Sequence, residues 1–127
     1  MSHPQMFDDD DPILARLREI CLELPGAAAK VSHGRPAFFT KKIFAVYGAA
    51  VKGDHQSRDH DHALIFKPAD DEVYAIRADE RFFVPAYWGP SGWMAIDLGE
   101  DTDWDEVVEL VEDSFRSTAS KNLISEL

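Results

Sequence analysis

GRPAFFTKKIFAVY, residues 34–47, decides how the chain is read. Two apolar runs, Ala37 to Thr40 and Ile43 onward to Val51, flank the pair Lys41-Lys42, and both are rich in aromatic and β-branched residues. Such runs joined by a short polar link form an antiparallel hairpin. Period-two alternation in the second run directs Phe44 and Val46 to one face, with Ala49 as a further candidate for it. Gly34-Arg35-Pro36 reads as a turn, which makes Ala28 to His33 the preceding strand.

Outward from this centre, Lys52 to Asp61 is polar and aperiodic and reads as a loop. His62 to Lys67 forms another strand, which Pro68 ends. Asp70 to Asp79 is a short helix with Val73, Tyr74 and Arg77 on one side. Arg81 to Ala86 and Gly92 to Leu98 make a second hairpin around residues 87–91.

Helical spacing bounds the chain on both sides. Ile13, Leu14, Leu17, Ile20, Cys21 and Leu24 form an apolar stripe. Asp10 or Asp11 caps this helix, Pro12 sits in its first turn, and Pro25-Gly26 ends it. Near the other end, Asp103 and Glu106 have the spacing of a capping box. Trp104, Val107, Val108, Val111 and Phe115 form the stripe of that last helix, whose opposite face is acidic. Residues 1–9 read as a flexible acidic tail. The order of elements predicts an α+β fold in one domain over residues 1–127, an antiparallel sheet with the N-terminal and C-terminal helices packed on one side.

Composition narrows the functional classes. The 127 residues carry 24 Asp and Glu against 13 Lys and Arg, a net charge of −11. The acid is concentrated at the two ends: residues 1–29 carry −4, residues 82–127 carry −8, and residues 30–81 carry +1. The overall charge repels phosphate, so any nucleic-acid contact must come from the central third. No apolar run approaches the ~20 residues that span a bilayer, and no secretory leader pattern opens the sequence. The single cysteine, Cys21, forms no internal disulfide. These features predict a cytoplasmic protein with no membrane partner.

Several local signatures occur in a fixed order: Leu24-Pro25-Gly26, Gly34-Arg35-Pro36-Ala37-Phe38, Lys42-Ile43-Phe44-Ala45, Pro85-Ala86-Tyr87-Trp88-Gly89, Gly92-Trp93, Asp97-Leu98 and Asp113-Ser114-Phe115, with Ala119 beyond. Over about residues 12 to 123 this ordered set resembles the MmcQ/YjbR family. The resemblance implies an α+β fold with two hairpin wings and a DNA-binding role proposed from that shape. It transfers no catalytic residues. Phe115 departs from the family, which more often has Tyr after the Ser, and the His-rich loop at 55–62 is not a family feature.

Candidate contact residues follow from chemistry. Arg35, Lys41, Lys42 and Lys52 lie at strand ends and turns, where cations can follow phosphates, and Trp88 at the second hairpin can stack on a base. The plainer reading makes Lys41-Lys42 a polar turn that protects a sheet edge. DNA is the expected partner. The alternative is a protein or small ligand held in a groove formed by the aromatic run Phe82 to Trp88. Asp54, His55, Asp59, His60, Asp61 and His62 offer metal-ligand chemistry, with His55, His60 and His62 as the imidazoles; His60 and His62 share a strand face if the strand that includes His62 begins early. Their spacing fits no standard closed site, and the plainer reading is a solvated loop. No cofactor is expected. An enzyme ranks third: Ser114 lies within a helix without a nucleophile elbow, Cys21 falls on an apolar stripe, and no glycine-rich loop cradles phosphate.

Overall fold

In the computed structural model, which describes residues 5–54 and 57–127, the chain runs α1 (Pro12–Leu22), β1 (Ala28–Ser32), β2 (Arg35–Phe39), β3 (Ile43–Tyr47), β4 (Ala63–Phe66), α2 (Val73–Ala78), β5 (Phe82–Phe83), β6 (Met94–Asp97), α3 (Trp104–Thr118) and α4 (Lys121–Ile124). One turn of 3₁₀ helix, Gly89–Ser91, lies between β5 and β6. The six strands form one antiparallel sheet in the order β1-β2-β3-β4-β6-β5. This is the expected α+β architecture. No helix among the described residues is long and apolar enough to cross a membrane.

Each face of the sheet has its own cover. Phe38, Ala45, Phe66 and Met94 form one cross-strand row, and Tyr47, Leu64 and Ile96 form the next. Both rows belong to the larger core, to which all four helices contribute: Leu14, Leu17 and Cys21 from α1, Ile76 from α2, Val107, Val111 and Phe115 from α3, and Leu123 and Ile124 from α4. On the reverse face, Ala37, Val46, Ile65 and Ala95 form a row in a smaller core closed by Trp88 and Trp93.

Local sequence explains the helix starts. Asp11 caps α1 by accepting the Ile13 N–H at 2.9 Å, and Asp103 caps α3 by accepting from Asp105 and Glu106. α4 lies beyond the elements read from sequence. Ser120 caps it, and its Leu123 packs over Gly26.

The turn between β1 and β2 sits earlier than Gly34-Arg35-Pro36. Ser32 pairs with Arg35, so the link is His33-Gly34, with φ of 51° and 82°. Two consecutive positive φ values match the twist of a two-residue hairpin, and this places Arg35 and Pro36 inside the strand. The short helix is also shorter than Asp70 to Asp79, and it buries Ile76 while Tyr74 stays exposed.

A β-bulge overturns the expected alternation in β3. Phe38 pairs with Ala45 but Phe39 pairs with Ile43, so Phe44 is an extra residue on the β3 side. Phe44 and Ala45 therefore both join the helix-side core, whereas Val46 and Ala49 join the other. The Phe44 ring meets Phe115 edge to face at 5.5 Å. A bulge leaves backbone groups outside the ladder, and α3 supplies the partner: the buried Ser114 hydroxyl donates to the Phe44 carbonyl and accepts the Lys67 N–H at 2.9 Å. Its role is therefore to join helix and sheet.

Replacing Ser114 by Ala strands two backbone groups in the core. The expected loss is about 2 kcal/mol by urea denaturation. A loss under about 0.5 kcal/mol, the level of an ordinary surface change, would remove Ser114 from this role.

Candidate functional site

Where β3 ends and β4 begins, three polar side chains meet under the start of α1. Asp11 uses one carboxylate oxygen to cap the helix, and its other oxygen accepts the Tyr47 hydroxyl at 2.5 Å. His62 Nδ1 lies 2.8 Å from that same Asp11 oxygen and 2.5 Å from the Tyr47 hydroxyl. Tyr47 is 1% exposed, whereas the His62 ring is more than half open to solvent.

Burial opposes the Asp11 charge, but the hydrogen bonds from Tyr47 and the Ile13 N–H, the neighbouring His62 and the Leu14 N–H outweigh it, so the carboxyl lies below its ordinary range. Burial and the Asp11 carboxylate push the Tyr47 phenol up, which keeps it protonated as a donor. The cluster thus carries a sequence-local cap into a tertiary contact, with its donors and acceptors directed at one another.

A second polar group adjoins it. Asp61 receives Arg35 through both terminal guanidinium nitrogens at 3.3 Å and Arg58 through Nε at 2.5 Å. Arg35 is only 8% exposed because it lies across Gly48, whose φ is +94°. A Cβ at Gly48 would stand 2.1 Å from the Arg35 guanidinium, so a side chain there would displace the arginine and would itself be strained by the positive φ. Asp11, Tyr47, His62, Asp61 and Arg58, together with the 5–8 segment, line a cleft of about 510 Å³. Among the described residues its lining offers no serine, threonine or cysteine as a nucleophile.

Of the residues singled out from sequence, Asp61 and His62 line this cleft, whereas Arg35, Lys41, Lys42, Lys52 and Trp88 do not. Lys41 and Lys42 are exposed at the β2–β3 turn. Lys52 is exposed beyond the opposite end of β3. Arg35 is held inside by Asp61. Trp88 is half-buried, its ring 4.8 Å from that of Trp93, and it belongs to the small core. The loop that carries it folds back on the sheet, where the Ala86 N–H donates to the Ala50 carbonyl at 2.7 Å.

The imidazoles also separate. His60 and His62 do not share a strand face, because β4 starts only at Ala63. His62 turns to Asp11 and Tyr47, whereas His60 stacks on Phe83 at 4.2 Å and meets Asp97 at 2.8 Å. His55 lies outside the described residues. Among the described residues no group of three His, Cys, Asp or Glu side chains stands close enough to hold a metal ion. Cys21 is fully buried, and burial pushes its thiol up, away from the reactive thiolate.

Two surface residues went unnoticed in the sequence. Lys30 pairs with Ala37 across β1 and β2 and so stands on the small-core face, with its Nζ 4.7 Å from the Phe39 ring centroid. Phe39 is half-buried and leads directly into Lys41-Lys42. The signal was weak, since one lysine in a short strand gains meaning only from the ring across the ladder.

The depressed Asp11 carboxyl contributes stability at neutral pH. That contribution fades as pH falls below about 4, when the unfolded carboxyl takes up a proton before the folded one. Asp11→Asn is expected to cost about 1 kcal/mol at pH 7 and to lose less than the wild type between pH 5 and 2, as urea midpoints measure. An acid limb identical to the wild type would show that Asp11 carries none of this dependence.

Compared with known proteins, the chain matches the YjbR family model over residues 22–117. No curated protein matches the sequence, and no solved structure matches the fold. The family match spans the sheet, α2 and all but the last residue of α3, and on that ground the chain belongs to the YjbR family.

Proposed function

We propose that the chain is a single-domain, non-enzymatic, cytoplasmic binding protein that contacts DNA from the sheet side, at the β2–β3 turn. One observation carries the reading. Lys30, over the Phe39 ring, and Lys41 and Lys42, in the turn that follows Phe39, are exposed, and none of them makes an ion pair among the described residues, in a chain with 24 carboxylates. Arg35, Arg58 and Arg81, by contrast, are held by Asp or Glu. Lysines left free beside an aromatic ring suit a phosphate chain with an unstacked base close by. Membership of the YjbR family supports the same reading, since the fold it implies has been proposed to bind DNA. The outer face of α3 is acidic and unsuited to a DNA groove, so contact is confined to the sheet side.

Within this reading the earlier set of five residues contracts. Lys41 and Lys42 remain, joined by Lys30 and Phe39. Arg35 serves the interior, and Lys52 and Trp88 lie away from the turn.

Anisotropy of labelled duplex and single-stranded DNA at about 50 and 200 mM salt tests the proposal. Binding is expected to weaken steeply with salt. Reversing Lys41 and Lys42 to Glu is expected to weaken it further and to reduce the salt slope by about two. Failure of both DNA forms to bind at the lower salt would overturn the proposal. An unchanged slope in the double variant would remove the turn as the contact.

A second reading rests on the β5–β6 loop. Tyr87 is 84% exposed at φ +69°, beside the half-exposed Val84, and a bulky residue held at positive φ marks a constrained surface. If a protein or small ligand docks there, Tyr87→Ala abolishes its capture and leaves DNA affinity unchanged. Equal capture by both forms would exclude this surface.

A further inference from the structure

On the helical side, away from the lysines, α1 and α3 leave an open groove between them. Its floor is apolar: Ile20, Leu24 and Pro25 on one wall, Val108 and Val111 on the other, and Leu127 at the end. Glu23, Glu112 and Glu126 rim it, and among the described residues no Lys or Arg lines it. Toward the helix starts the next exposed charges are Glu19 and Glu109, also acidic, while Arg116 is exposed one turn beyond Glu112 and does not line the groove. Arg16 is farther along α1, where it covers the Trp104 ring at 5.4 Å. Val108 is half-exposed and Leu127 is 46% exposed, so apolar surface stays wet within an acidic frame.

The groove volume is about 280 Å³. That falls below the roughly 300–1,000 Å³ usual for a small-molecule pocket. It suits a few apolar side chains presented at helical spacing, the mode in which an amphipathic helix lies along a groove. Charge decides which helix. Three rim carboxylates select a basic partner. They also disfavour a second copy, because a two-fold contact would set acid against acid. We propose that this groove docks a basic amphipathic helix from a partner protein, whose apolar stripe enters between Val108 and Leu24 while its Lys or Arg side chains meet Glu23, Glu112 and Glu126.

A labelled peptide of Leu and Lys at helical spacing, titrated with the full chain at about 150 mM salt, tests this, since screening at that salt suppresses attraction by net charge alone. A scrambled peptide of the same composition serves as control. The patterned peptide is expected to bind at least about tenfold more tightly than the scrambled one. Glu112→Lys with Glu126→Lys, and separately Val108→Gln, are each expected to weaken it about tenfold. Asp70→Lys with Asp71→Lys, an equal charge change on the loop before α2, is expected to leave it within about threefold. Urea midpoints near the wild-type value certify that the variants fold.

Equal loss from the Asp70/Asp71 pair, equal affinity for the scrambled peptide, or no binding would overturn the proposal. A dimer seen by sedimentation and abolished by Val108→Gln would assign the groove to a second copy instead.

Discussion

The Ser114 hydroxyl stands where three elements meet. It donates to the carbonyl of the bulged Phe44 and accepts the N–H that follows β4, so α3 is tied to two strands at once. Without the bulge, Phe44 would point to the reverse face, and the edge-to-face contact with Phe115 that seats α3 would be absent. The bulge in turn requires a partner for its displaced carbonyl, because an unpaired acceptor in a core forfeits the water it had when unfolded. The seat of α3 against β3 and β4 follows from this one exchange.

That division also sorts the charge. Once the helices take one side of the sheet, their solvent faces carry the acid of the terminal segments. The exposed lysines at 30, 41, 42 and 52 belong to the strands and their turns. A net charge of −11 therefore describes the molecule poorly. Two surfaces of different character share one small sheet.

Sequence made the local features legible. Caps at Asp11 and Asp103 depend on neighbours two and three residues away, and the helical stripes need only their own periodicity. Register was not legible. Whether Phe44 or Val46 faces the helices depends on how β3 pairs with β2, and a one-residue bulge leaves no mark in the composition of either strand. The polar clusters were hidden for a related reason. Arg35 reads as a surface cation until Asp61, 26 residues later, returns to meet it. Asp11 reads as a helix cap, yet half of its carboxylate serves Tyr47, 36 residues away. The DNA reading drawn from the motifs stands on Lys41 and Lys42, while Lys30 enters only through the ring across the ladder.

Gly48 and Arg35 form a matched pair in which an empty position on one strand is the seat of a side chain from another. The glycine leaves the room that the arginine fills. At φ +94° a side chain at 48 is strained whatever residue stands at 35. A chain that keeps the arginine keeps the glycine. The dependence therefore runs one way: the arginine needs the glycine for its inward seat, while the glycine answers first to its own backbone.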